Sequence, residues 1–161
     1  MLKLSRLTDY AVVILVRLGE QEGGGTSALL ATKTGLSEPT VAKVLKTLSS
    51  VGLVLSRRGA KGGYKLARSL SDISVASVIV AMDGKIALTA CVDGGGCENG
   101  VFCGLQGRWD LINKAIRTTL ENISLATMCL YESENTPELF NACQDFGKDF
   151  SGGCAALNDW N

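Results

Sequence analysis

A mostly helical chain carrying one small β-hairpin is what the sequence predicts, on three observations. Apolar residues return every three or four positions over residues 7–20, 38–48 and 108–123, the period of a helix resting one face on a core. Gly52 to Ala67 instead holds two apolar runs around a glycine-rich basic turn, the pattern of a hairpin. The 161 residues are 46% apolar and 20% charged, which suits one domain with or without an arm and excludes disordered and collagen-like chains.

The first helix is expected from Leu7 to Glu20, its stripe formed by Tyr10, Val13, Ile14 and Leu18. Gly23-Gly24-Gly25 breaks the chain, and Thr26 or Ser27 is of the right type to cap a short helix that runs to about Lys33. Gly35-Leu36-Ser37 makes a tight turn into another helix, with Ser37 as N-cap, Glu38 where the helix dipole favours an anion, and Pro39 in the tolerated first turn. Val41, Val44, Leu45 and Leu48 form its buried side, and Thr40, Lys43, Lys46 and Thr47 lie opposite. Hydroxyls and ammonium groups on one helix face suit phosphates and base edges in a major groove, although two short helices about a glycine turn also occur in packed bundles.

The hairpin follows at once. Leu53–Ser56 and Tyr64–Ala67 are the predicted strands, and Arg57, Arg58 and Lys61 sit among glycines at the tip. A cationic tip on a fixed stem, directly after helix-turn-helix, is the design of a DNA-binding wing. The glycines alone would also suit a phosphate-cradling loop, but neither GxxxxGK[ST] nor GxGxxG occurs here.

The charge distribution agrees. Net charge is zero overall, yet residues 1–68 hold eleven bases against four acids, or +7, and the remainder holds five bases against twelve acids, or −7. A basic half points to a polyanionic partner. Histidine is absent, which excludes Ser-His-Asp and Cys-His nucleophile pairs, HExxH zinc proteases and histidine-containing zinc fingers. The chain is therefore not expected to be an enzyme. The apolar stretch Tyr10–Val16 is too short for a secretory leader and no run is long enough to span a bilayer, so no membrane partner and a cytoplasmic location are expected. In that compartment clustered thiols are better explained by metal or redox chemistry than by structural disulfides.

After a short helix expected from Val75 to about Asp83 and stopped by Gly84, Cys91, Cys97 and Cys103 stand at two equal intervals, with glycines at 94, 95, 96 and 100 that allow the backbone to fold back. Converging thiolates suit an iron–sulfur cluster or zinc. The spacing is not the CxxC of zinc ribbons, which favours iron–sulfur. A thiol-active or thiol redox-sensing protein without a cluster is the alternative, although no CxxC supports it.

The opening Lys3-Leu4-Ser5 to Asp9-Tyr10-Ala11-Val12, the turn Thr34-Gly35-Leu36-Ser37, the block Gly52-Leu53-Val54 through Arg58-Gly59-Ala60-Lys61-Gly62-Gly63-Tyr64, the helix entry Ile73-Ser74-Val75 and the triple-cysteine loop resemble IscR-like winged-helix iron–sulfur transcription regulators, in particular the SUF-system assembly regulators. The resemblance covers about residues 1–128. It implies a homodimer that binds double-stranded operator DNA and carries an iron–sulfur cluster, usually 2Fe-2S with 4Fe-4S as the alternative, at Cys91, Cys97 and Cys103. It also implies a wing arginine, Arg58, on DNA. Two departures stand out. IscR has a histidine three residues after its third cysteine, where this chain has Gln106, and a neutral amide is a poor substitute for imidazole on iron. The fourth ligand is thus open among Gln106, Asp110, Asp93, Glu98, Asp9 of a partner subunit and an exogenous thiol or water. Pro39 and Ala42 supply no hydrogen-bond donor where related recognition helices can carry polar side chains, so the operator sequence should differ.

Trp109, Ile112, Ile116, Leu120 and Ile123 give Arg108–Ile123 one apolar stripe, to be packed within the domain or paired with a symmetry mate. A two-fold pair would present two recognition helices to successive turns of DNA. Beyond Ala126 periodicity fades, and Cys129, Cys143 and Cys154 are too widely spaced for a compact metal site. The expected organisation is a winged helix-turn-helix over residues 1–70, a connecting helix and Cys-rich cluster loop over 71–106, a dimerisation helix region over 107–128 and a mobile arm over 129–161.

Overall fold

The computed structural model describes residues 4–57, 59, 62–89, 92 and 107–130. Helix α1 spans Arg6–Gly19, and Ser5 caps it by accepting from the Thr8 N–H at 3.2 Å, which satisfies one of the donors orphaned at a helix start. Its inward face is Ala11, Ile14, Leu15 and Leu18, whereas Tyr10 and Val13 are half-buried. The predicted stripe is therefore rotated by about one residue, because small Ala11 allows the close approach of neighbouring helices that Tyr10 would block.

Helix α2 (Ser27–Thr34) is capped by Thr26, whose hydroxyl oxygen accepts from the Leu29 N–H at 3.2 Å. It ends at Gly35, whose φ of +69° lies in the left-handed region that glycine enters without steric cost. Helix α3 (Glu38–Ser50) starts three residues after Gly35, with Pro39 in its first turn and Val41, Val44, Leu45 and Leu48 fully buried. Ser37 holds the N-cap position but caps no backbone N–H; its hydroxyl bonds the Thr40 hydroxyl at 2.8 Å instead.

Strands β1 (Val54–Arg57) and β2 (Gly63–Leu66) form an antiparallel hairpin in the register Val54↔Leu66 to Arg57↔Gly63. Each strand is displaced by one residue from its predicted span toward the tip, and the bond from the Ala67 N–H to the Leu53 carbonyl, 3.0 Å, continues the pairing past the strand ends. The hairpin is not isolated. Tyr64 exchanges two 2.8 Å backbone bonds with Gly25, so the segment before α2 adds a one-residue bridge to the wing.

A 3-10 turn at Leu70–Asp72 leads to α4 (Val75–Asp83), which has the predicted span and the predicted stop at Gly84 and is capped by Ser74. Helix α5 (Arg108–Asn122) stops one residue before Ile123, which is extended. The chain then pairs back on itself: the Val75 N–H donates to the Ile123 carbonyl and the Leu125 N–H to the Ile73 carbonyl, both at 2.9 Å. This return starts a short α6 (Leu125–Leu130), not anticipated from sequence, and drives Leu125 into the core with Ile14, Leu15, Val44, Leu48 and Ile73. Full burial of such a leucine contributes about 1.5–3 kcal/mol, which offsets part of the entropy lost in ordering the returning chain. Ala76, Ile79 and Ile86 form a smaller cluster against Leu120. The architecture is a mostly helical winged helix-turn-helix, and none of its described helices is long and apolar enough to cross a membrane.

Candidate nucleic-acid interface and cysteine loop

The buried side of α3 fixes the direction of the opposite side. Because Val41, Val44, Leu45 and Leu48 are locked in the core, Lys43 and Lys46 project to solvent, since residues three and four apart share a helix face. Thr40 is half-buried and its hydroxyl is engaged by Ser37. Thr47 is also half-buried, and its hydroxyl donates to the Lys43 carbonyl at 3.2 Å, leaving only lone pairs for an outside donor. Ser27 on α2 donates to Glu38 Oε1 at 3.0 Å. That bond holds the starts of α2 and α3 together, where their peptide dipoles favour anions.

The wing stem is built to hold its tip. Arg57 is exposed at the end of β1, and the Gly62 N–H closes the turn on the Gly59 carbonyl at 2.8 Å. A side chain on Gly62 would meet the Arg57 carbonyl oxygen at 2.6 Å, and one on Gly24 would collide with the Tyr64 carbonyl oxygen. The three-glycine run that the sequence marked only as a break is thus the seat of the wing. A cavity of about 280 Å³ lies beside it, lined in part by Thr26, Arg57, Tyr64 and Lys65. Of the expected DNA contacts, Thr40, Lys43, Lys46 and Arg57 lie on described elements, and Arg58 and Lys61 fall outside the described residues.

Cys91, Cys97 and Cys103 also fall outside the described residues, as do Asp93, Glu98 and Gln106. Asp9 is exposed in the first turn of α1 and Asp110 in that of α5, and among the described residues no three Cys, Asp or Glu side chains are grouped to hold a metal. Cys129 is half-buried in α6, while Cys143 and Cys154 lie outside the described residues. Thr89, two residues before Cys91, has a buried hydroxyl without a hydrogen-bond partner among the described residues. A donor left over there, together with three thiolates in one glycine-rich stretch, fits a sulfide-containing centre, whose sulfurs accept hydrogen bonds.

Sequence reading missed two polar side chains. Asp83 Oδ2, at the end of α4, accepts from the Ser5 N–H at 3.0 Å and the Thr8 hydroxyl at 2.8 Å, tying α4 to the start of α1. Burial acts to raise the Asp83 pKa, but the hydrogen bonds from Ser5 and Thr8 outweigh it and hold the carboxyl below its ordinary value. Asn113 is the other, and it is buried in α5. The position was findable, since 113 is three residues before Ile116 and seven before Leu120, both half-buried on the same face of the helix, whereas Trp109 and Ile112 of the predicted stripe are exposed.

Comparison with known proteins agrees with this arrangement. Residues 4–130 match the family model described as Rrf2, iron-dependent transcriptional regulator. The chain is similar to the HTH-type transcriptional regulator IscR of Serratia proteamaculans, 33% identical over 129 residues and 79% of each chain. It is likewise similar to IscR of Photobacterium profundum, 32% identical over 79% of this chain and 75% of that one. Among solved structures, T. potens IscR superposes with a TM-score of 0.57 at 32% identity, covering 79% of this chain and 85% of that chain. CymR (YrzC), the global cysteine regulator of B. subtilis, gives 0.65 at 26% identity, covering 83% and 100%. With its helix-turn-helix, its anchored wing and a match that runs through α6, the chain belongs to the Rrf2 family and is an IscR-like transcriptional regulator.

Proposed function

We propose that this regulator is a cytoplasmic homodimeric repressor that senses iron–sulfur status through a cluster held by Cys91, Cys97 and Cys103 and controls iron–sulfur assembly genes of the SUF type. The observation that carries this reading is the attachment of three evenly spaced thiols, each pair separated by five residues, to a helix-turn-helix with a basic wing. Lys43 and Lys46, with Thr40, would face the major groove, and Arg57, Arg58 and Lys61 the phosphates or the adjacent minor groove. When bound, the cluster supplies an occupancy- and redox-dependent link between its thiolate ligands. Residues 1–70 would bind DNA, 71–106 carry the cluster, 107–128 pair the subunits and 129–161 form the arm. Useful regulation needs cluster-loaded and cluster-free forms to differ by roughly 1–3 kcal/mol in operator binding.

The test is an optical and electron-paramagnetic spectrum of anaerobically purified protein with iron and sulfide assays. A coloured protein with equivalent iron and sulfide, bleached by Cys97→Ala with its helical content kept, is the expected result. Stoichiometric zinc without iron or sulfide would overturn the cluster reading and leave a thiol switch. Shift of its own promoter fragment in a gel tests the DNA-binding half separately.

A further inference from the structure

Segments far apart in the chain share a cavity of about 340 Å³, within the size range of small-molecule sites. Val51 enters it from the end of α3, Arg68 from just past β2, Ser74 and Val80 from α4, and Arg117 and Glu121 from α5. Its helical walls are held in place. Asn113 clamps α5 to the chain just past α4: its Oδ1 accepts from the Leu88 N–H at 3.1 Å and its Nδ2 donates to the Ile86 carbonyl at 3.0 Å. With Asn113 only 7% exposed, both bonds are shielded from water and fix the spacing of α4 and α5. The residues of this cavity belong neither to the expected DNA contacts nor to the cysteine segment.

The polar groups leave a surplus positive charge. Arg117 Nε donates to Glu121 Oε1 at 2.8 Å, which neutralises that pair and leaves the terminal nitrogens of Arg117 for another acceptor. Among the described residues no carboxylate pairs with Arg68. Ser74 Oγ accepts from the Ser77 N–H at 3.2 Å, and its own O–H is unspent among the described residues. Guanidinium forks match a carboxylate through paired bonds. Beside them Val51 and Val80 are 50% and 47% exposed, apolar surface that gains from leaving water. One net positive charge next to an apolar wall selects a monoanion with a carbon body; a phosphate would satisfy the guanidinium groups and leave both valines wet. We propose that this cavity is an effector site for a small aliphatic monocarboxylate, with Arg68 and Arg117 on the carboxylate and Val51 and Val80 on the carbon body. An occupant bonded to both the hairpin root and α5 favours the arrangement in which its contacts are complete, and operator affinity follows. The site requires none of the cysteines and stands apart from the cluster reading.

The test titrates the full chain with sodium isovalerate and follows backbone amide shifts, with isovaleramide and inorganic phosphate as controls. Saturable shifts at Ser77 and Val80 with a Kd of about 1 mM or tighter are expected, and no saturation from the neutral amide. Arg68→Gln, at an exposed position that keeps the fold, should weaken binding about tenfold or more. Val80→Glu, which sets a second carboxylate at the apolar wall, should do the same. Phosphate that displaces isovalerate at equal concentration would show a site for any anion and overturn the proposal, as would undiminished binding to Arg68→Gln or the absence of a saturable shift. In titrations of the promoter fragment, saturating isovalerate should change the affinity of wild type about fivefold or more and that of Arg68→Gln by less. Binding of isovalerate without that change would overturn the effector role.

Discussion

Lys43 and Lys46 show how little a single side chain needs from the rest of the molecule once its helix face is set: four buried aliphatic neighbours on α3 turn both ammonium groups outward. Those side chains were legible because period and polarity agree. Asp83 was not, since its partners Ser5 and Thr8 are more than seventy residues away. At this scale two outcomes are expected. Arg58→Ala should weaken operator binding and reduce the slope of log affinity against log salt by about one unit, measured by titration at several salt concentrations. An unchanged slope would remove Arg58 from the phosphate interface. Asp83→Asn should destabilise the fold by about 1 kcal/mol or less, because the pair is solvent-exposed. A carboxyl whose folded pKa is depressed contributes stability that is present above its unfolded value, near 3.8, and lost as pH falls through the folded value. The stability difference between wild type and Asp83→Asn should therefore be constant well above the unfolded value and shrink as pH falls through the folded one.

Among the elements, the wing depends most on a neighbour. A two-stranded hairpin is marginal in water, and this one is completed by the Gly25 bridge to Tyr64. Gly24 makes the approach possible, with φ at +96° and no room for a side chain against the Tyr64 carbonyl. Gly24→Ala should destabilise the protein by about 1–3 kcal/mol, with faster exchange of the Tyr64 N–H than of amides in α3. Uniform loosening of both would show that the bridge does not hold the wing specifically. The strand pair, the turn at Gly35 and the stop at Gly84 were readable from local chemistry. The bridge was not, because a single residue in a glycine run carries no alternation. Nor was α6, whose start is set by backbone pairing between residues 73–75 and 123–125.

For the molecule as a whole, Leu111, Ile112 and the 37%-exposed Trp109 are apolar surface left open among the described residues, and a two-fold partner is the proposed cover. Ile112→Glu should convert the protein from dimer to monomer in sedimentation and weaken operator binding by about tenfold or more, since a monomer grips one half-site. A monomeric wild type would refute the dimer.

Local pattern, charge and spacing were enough to read off the helix-turn-helix, the basic hairpin and the cysteine trio, because capping, period and turn chemistry act within a few residues and leave their mark in order along the chain. Fold-level contacts settled the rest: the docking of Gly25 on the wing, the return of Leu125 into the core, the Asp83 tie to α1 and the Asn113 clamp all join residues distant in sequence, and only packing in three dimensions selects which polar groups meet.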